Sequence, residues 1–283
     1  MSPIIAIKSS GRLIIKPRFF SNIMKLIFLG TGSAFTVGDG NYQSNMILEA
    51  DSHKKLLIDC GSDVRRSLDE YGLSPLDLQD VYISHLHADH IGGLEWLAFT
   101  SKYSSQVTQK PCLHLSHDLI PDLWNKALSA GLNPSNDPTI DLSTFFRIDA
   151  VTHNAFVWEG VTIHLFPTLH VVCDAWRMPC YGLWFETNQK KVLITEDTQF
   201  NLDGMEKLYE ESDLIFHDCE IQVNKSGVHA HYNELRHLNP HIKKKMWLYH
   251  YQPGPLPDAK EEGFKGFVEK GQCFDFNKKE TFL

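Results

Sequence analysis

Six cysteines are present, but none is paired in the ways that usually give cysteine a job. Cys60, Cys112, Cys173, Cys180, Cys219 and Cys273 are scattered without a Cys-x-x-Cys pair, which argues against a zinc ribbon, a thioredoxin-like redox site or a disulfide framework. Reduced thiols are expected. Long apolar runs are also missing: no stretch approaches the about 20 consecutive apolar residues that cross a bilayer, and the N-terminal segment lacks the apolar core and cleavage site of a secretory signal. A cytoplasmic location without membrane contact is therefore expected. There is no excess of positive charge either, with 27 Lys and Arg against 35 Asp and Glu and a net charge of −8. Such a field repels nucleic acid, so stable nucleic-acid binding is not expected, and a polyanion would need a local basic patch or a metal to hold it. Repeats, low-complexity tracts and linkers are lacking as well. The organisation expected is one domain over residues 24–283 behind an N-terminal extension, residues 1–23. That extension carries Lys8, Arg12, Lys16 and Arg18 and no acidic residue. It reads as an appended segment or an extra strand, with "MKLIFLG" at Met24 as a fresh start.

What the chain does have is apolar, β-branched runs bounded by turn residues. "KLIFLG", "QSNMILEA", "KLLIDCG", "DVYISH", "PCLHLS", "VTIHLFPT", "YGLWFE", "KVLITED", "DLIFHD" and "MWLYHY" read as strands. "DVRRSLDEYG", "IGGLEWLAFTSKY", "HDLIPDLWNKALSAG", "LDGMEKLYEES" and "AKEEGFKGFVEKG" read as helices. "GLNPSNDPTIDLS" reads as a surface loop. This order predicts an α/β (α+β) chain of two sheets with helices packed outside.

Histidine is the compositional anomaly, at 15 residues, and "SHLHADHIGG" crowds His85, His87, Asp89 and His90 into six positions. The stretch follows a buried strand and precedes a helical segment, so it occupies a turn, where closely spaced side chains can converge on one point. Imidazole with carboxylate suits a borderline divalent ion, zinc first, with iron or manganese accepting the same ligands. Further donors should stand at the ends of other strands. "LFPTLHVV" ends with His170, "VLITEDTQ" with Asp197 and "MWLYHYQ" with His250. Seven ligands exceed what one tetrahedral zinc uses, so two adjacent ions sharing a carboxylate are expected.

The motif His85-Leu86-His87-Ala88-Asp89-His90, followed by His170, Asp197 and His250, resembles the metallo-β-lactamase superfamily from about Lys25 to Tyr251. The resemblance implies a four-layer αβ/βα sandwich with two metals at one edge. It would give His85, His87 and His170 to one ion, Asp89, His90 and His250 to the other, and Asp197 to both. Asp59 of "LLIDCG" would orient a ligand histidine, and His217 and Asp218 would support the site from behind. His90 and Asp197 differ from the residues common in penicillin-degrading members, and His87 differs from the glutamate of the di-iron oxygen reductases, so hydrolysis other than of β-lactams is expected.

"FLGTGSA", "DLIFHDCE" and "GVHAHYNEL" are similar to features of the ribonuclease Z-like phosphodiesterase branch. That branch carries an additional histidine; His229 is the better match, and His231 is the alternative, standing where a hydroxyl residue is usual. "GTGSA" lacks the lysine of a phosphate-binding loop, and Phe35 breaks the dinucleotide fingerprint, so it reads as a tight turn at the site's edge. Residues 171–196 leave no room for the long basic arm of a transfer-RNA processing enzyme. The pattern most resembles stand-alone cyclic-nucleotide phosphodiesterases, including the anti-Pycsar type, and such enzymes are commonly homodimers. The expected substrate is a small phosphodiester, with Asp89 accepting a hydrogen bond from the nucleophile and His229 assisting the leaving group. Trp176 and Arg177, beside His170, are candidate contacts to the substrate, with His231. His114, His117, His153, His164, His237 and His241 are taken as structural or exposed. A thioester or lactone hydrolase, an RNA-processing nuclease, or a scaffold inheriting the fold are the alternatives.

Overall fold

In the computed structural model the described residues are 24–38 and 40–278, so the expected extension lies outside them. Two seven-stranded sheets and a two-stranded ribbon account for the strands described here. In chain order these are β1 (Lys25–Phe28), β2 (Met46–Glu49), β3 (Lys55–Ile58), β4 (Asp80–Ile83), β5 (Cys112–Ser116), β6 (Arg147–Val151), β7 (Ala155–Trp158) and β8 (Val161–Pro167). The ribbon, β9 (Val172–Cys173) with β10 (Trp176–Arg177), comes next. It is followed by β11 (Tyr181–Thr187), β12 (Lys190–Ile194), β13 (Leu214–Asp218), β14 (Met246–Tyr249), β15 (Gly266–Phe267) and β16 (Cys273–Asp275). The first sheet runs β16-β1-β2-β3-β4-β5-β6 and the second β15-β14-β13-β12-β11-β8-β7.

Alternation along the strands builds the layers. Leu26, Phe28, Leu48, Leu56 and Ile58 of the first sheet meet Leu183, Phe185, Val192, Ile194 and Phe216 of the second in a shared inner core. The intervening positions face outward: Ile27, Ile47, Leu57 and Val81 pack under helices Val64–Glu70 and Leu94–Tyr103. On the other side Leu193, Ile215 and Leu248 pack under helix Leu202–Glu211 and the short helices after it. Strands buried on both faces need apolar residues at every position, which is why they read as unbroken runs. The result is the four-layer sandwich of the metallo-β-lactamase fold.

Two readings of the sequence need correction. "AKEEGFKGFVEKG" is turns and the short strand β15, not a helix, and Gly263, Gly266 and Gly271 all hold positive φ there, a conformation that ends helices. The strands β6 and β7, each at the end of a sheet, are not among the runs read as strands. Their burial alternates or is partial, so they lack the continuous apolar signal of a central strand.

Candidate metal centre

Parallel pairing aligns the ends that matter. β3 and β4 run parallel, as do β12, β13 and β14, so their C-terminal ends share one edge of the sandwich. Asp59 follows β3, Ser84 and His85 follow β4, Asp197 stands just past β12, Asp218 ends β13 and His250 follows β14. Three residues at these ends, Asp59, Glu196 and His250, have φ of 60°, 51° and 64°. Such backbone costs on the order of 1–3 kcal/mol per residue and persists where the surroundings over-determine it.

The seven expected ligands form two groups that share Asp197: His85, His87, His170 and Asp197 in one, Asp89, His90, His250 and Asp197 in the other. Asp197 Oδ2 lies 3.7 Å from His85 Nε2 and 3.5 Å from His170 Nε2. Its other oxygen, Oδ1, lies 3.4 Å from His90 Nε2 and 3.5 Å from His250 Nε2. One carboxylate thus faces each group with a different oxygen. Donors around a tetrahedral zinc at about 2.0–2.2 Å stand about 3.3–3.6 Å apart, so these spacings suit an ion in each group. Buried Asp89 Oδ2, His90 Nε2, Asp197 Oδ1 and His250 Nε2 have no hydrogen-bond partner among the described residues. Orphaned donors and acceptors pointed at one another call for a cation, and the residues present fit a divalent pair.

The supporting contacts choose the nitrogen that each histidine offers. Ser84 Oγ donates to Asp59 Oδ2 at 2.6 Å and accepts from His85 Nδ1 at 3.0 Å, leaving His85 Nε2 for the site. Asp59 Oδ2 also accepts from His90 Nδ1 at 2.5 Å, and the carbonyl of Val228 accepts from His170 Nδ1 at 2.8 Å. These second partners fix ring orientation and tautomer. The sheets repeat one device: "IDC" after β3 sets Asp59 on His90, and "HDC" at the end of β13 sets Asp218 on His229, whose Nδ1 lies 2.7 Å from Asp218 Oδ2. Sequence reasoning missed Ser84 and Glu196, both beside a ligand at a strand end, and that position was the available signal.

Burial, with the neighbouring histidines, holds His85 and His87 below the ordinary imidazole range, and burial does the same to His170, so these three are neutral as ligands must be. Burial opposes a charge on His90, yet Asp89, Asp197 and Asp59 outweigh it and raise that ring well up. Its proton is what a cation would displace. Burial also works against ionising Asp89, but His90 pulls that carboxyl down to about 2. Glu196 goes the other way: burial, then the carboxylate of Asp59, pushes it well above the usual carboxylate range.

Other expected residues fall in different places. The His229 ring centre is 5.0 Å from those of both His170 and His250, so it faces both ligand groups. His231 does not reach them: its Nδ1 accepts from Asn233 N and its Nε2 donates to the Gln222 carbonyl, capping helix Tyr232–Leu235. Of the two histidines that the sequence left open, His229 faces the ligand groups and His231, with both nitrogens occupied, does not. His217 also points away, donating to the Asp218 carbonyl and accepting from the Tyr209 hydroxyl in the outer layer; it braces β13 from outside, while Asp218 reaches the site. Trp176 and Arg177 sit on the exposed ribbon after His170. His114 is structural, held between Asp80 and Asp149 at 2.9 and 2.8 Å. Gly30 of the tight turn meets the carbonyls of Tyr42 and Gln43 so closely that a Cβ would lie 2.4 and 2.3 Å from them.

The profile of the family described as anti-Pycsar protein Apyc1 matches residues 24–274. The chain belongs to this family. It is 35% identical over 231 residues to the Apyc1 protein of Paenibacillus harenae, covering 81% of this chain and 90% of that one. It is 30% identical over 259 residues to the Apyc1 protein of Bacillus phage vB_BveM-Goe7, covering 88% and 96%. Among solved structures it is similar to the metallo-β-lactamase fold protein YhfI of Bacillus subtilis, with TM-score 0.69 and 20% identity, covering 90% of this chain and all, 100%, of that one. Human tRNase Z, short form, matches with TM-score 0.62 and 19% identity over 90% and 100% of the chains. At such identities these two structures establish the fold. No described helix is long and apolar enough to cross a membrane.

Proposed function

We propose that the protein is a binuclear metal-dependent phosphodiesterase that opens 3′,5′-cyclic nucleotides, or similarly small phosphodiesters, to monophosphates. The observation that carries this reading is His229. Asp218 accepts a hydrogen bond from its Nδ1 at 2.7 Å, leaving Nε2 as the free edge of a ring set between both ligand groups. A bare metal site needs no such residue, whereas a phosphodiester does, because its leaving alkoxide requires a proton. Burial opposes protonation of His229, but Asp218 outweighs it and raises the metal-free ring to about 10, in keeping with a role as an acid. Two divalent ions, with zinc, manganese or iron all compatible with the donors, would supply Lewis acidity toward the phosphate and acidify water at the site. The chain's own part is to hold seven ligands in place, to keep Asp89 ionised as an acceptor for the nucleophile's hydrogen bond, and to deliver the His229 proton. Water adds to phosphorus and gives up a proton to solvent past Asp89, the ring P–O bond breaks, the freed oxygen takes the His229 proton, and His229 regains one from solvent. Substrate contact by the exposed Trp176 and Arg177, on the ribbon after His170, belongs to the same proposal.

The family name and neighbours titled as yeast PDE1 and a diphosphatase of the PhnP family support the reading. Homodimeric assembly and a cytoplasmic location belong to the same proposal, with exposed Phe35 and Val37 as apolar candidates for the subunit contact. Metal-loaded protein is to be assayed on bis(p-nitrophenyl) phosphate, 3′,5′- and 2′,3′-cyclic nucleotides, a thioester and a lactone. Turnover of 3′,5′-cyclic nucleotides is expected; reaction of the thioester or lactone alone would overturn the assignment.

A further inference from the structure

Next along the chain from the ligand His250 lies a cleft of about 240 Å³, lined among others by Thr36, Asn41, Tyr251, Gln252, Leu256 and Glu269. It begins one residue past His250, and Gln252 Cα stands within about 7 Å of that ligand's Cα, the reach of two extended residues. Its walls are fastened. Gly32 bridges both Gln43 and Tyr251, Ser33 N donates to the Tyr251 carbonyl at 3.1 Å, and the Tyr251 hydroxyl donates to the Val268 carbonyl at 2.8 Å. The Tyr251 side of the cleft is thus held in place.

Its chemistry suits the uncharged part of a nucleotide. Gln252 Oε1 accepts from the Ile221 N–H at 2.8 Å, which settles the amide orientation and makes the rest of the group two N–H donors. Glu269 contributes a carboxylate to the lining and Leu256 an apolar surface. A nucleobase edge displays donors and acceptors side by side and its face is apolar, which suits Gln252 beside Leu256, while Lys270, also in the lining, is paired with Glu70. The volume also falls below the roughly 300 Å³ at which drug-sized pockets begin, enough for one nucleoside and not for an oligonucleotide.

We infer that this cleft seats the nucleoside of the substrate and that Gln252 donates a hydrogen bond to it. The inference rests on the phosphodiesterase reading for its substrate class. Calorimetric titration of the metal-loaded full chain with cytidine 5′-monophosphate and with ribose 5-phosphate tests it independently of turnover. In the unaltered protein the nucleotide is expected to bind at least about tenfold tighter, a difference of 1.4 kcal/mol. Leu256→Trp, which fills the cleft, and Gln252→Glu, which keeps the bond to Ile221 but replaces the donors, are each expected to erase most of that ratio. Equal binding of the two ligands by the unaltered protein, or variants that keep the ratio, would overturn the inference. Discrimination by a protein that cleaves no cyclic nucleotide would leave the cleft assigned and sink the proposed reaction instead.

Discussion

At His229 one contact decides the chemistry open to the side chain: with Nδ1 on Asp218 at 2.7 Å, only Nε2 can serve a substrate. His229→Ala is expected to lower phosphodiester turnover on the order of 10²–10⁴-fold with two metals still bound. Steady-state kinetics with elemental analysis on the same sample checks it, and a matching fall in metal content would make His229 a ligand and not an acid. Asp59 acts one step back, through His90 and Ser84. Asp59→Asn is expected to weaken metal affinity about 10–100-fold, read by competition with a chromogenic chelator; unchanged affinity would mean that Asp59 only closes the turn. The ligand types were legible in sequence because His-x-His-x-Asp-His is local. The division of labour between His229 and His231 was not, since two residues apart in a loop can face opposite ways.

Elements supply the stability on which that geometry depends. Phe216, fully buried, packs against Phe274 at 4.7 Å and Phe28 at 5.3 Å, joining both sheets from the second sheet's centre. Phe216→Ala is expected to cost about 3–5 kcal/mol, measured as a lower urea midpoint; a loss under 1 kcal/mol would mean that the sheets close over the cavity. Far from the metal edge, at the N-terminal ends of β4 and β5, His114 links three strands through Asp80 and Asp149. Burial opposes its charge, but hydrogen bonds to Asp80 and its other neighbours raise it from 6.5 to about 10. A folded value above the unfolded one gives stability that is full below pH 6.5 and lost as pH climbs through about 10. Unfolding of metal-free protein between those limits should therefore become easier with pH, and His114→Asn should flatten the dependence; equal slopes in both proteins would count against the clamp.

Over the whole molecule, the metals are expected to act as a clasp between the sheets, since His85, His87, Asp89 and His90 come from the first half and His170, Asp197 and His250 from the second. Each ion at 100 times its dissociation constant adds about 2.7 kcal/mol. For a chain of this size that is a rise of roughly 5 °C in Tm for each ion. Differential scanning calorimetry with and without a chelator measures it, and an unchanged Tm would mean that the sheets hold the site unaided. The sequence by itself determined ten strands, most of them because burial on both faces demands unbroken apolar runs and β8 through its alternation, and it singled out the seven residues of the two groups, because strand-end polar residues interrupt those runs. Only the tertiary structure decided what depends on contacts between distant segments. Parallel pairing gathers five strand ends at one edge, Asp197 turns a different oxygen to each group, His231 caps a helix, and the cleft beyond His250 closes against the loop after β1. None of these can be read from neighbours in the chain, because each pairs residues held together by folding alone.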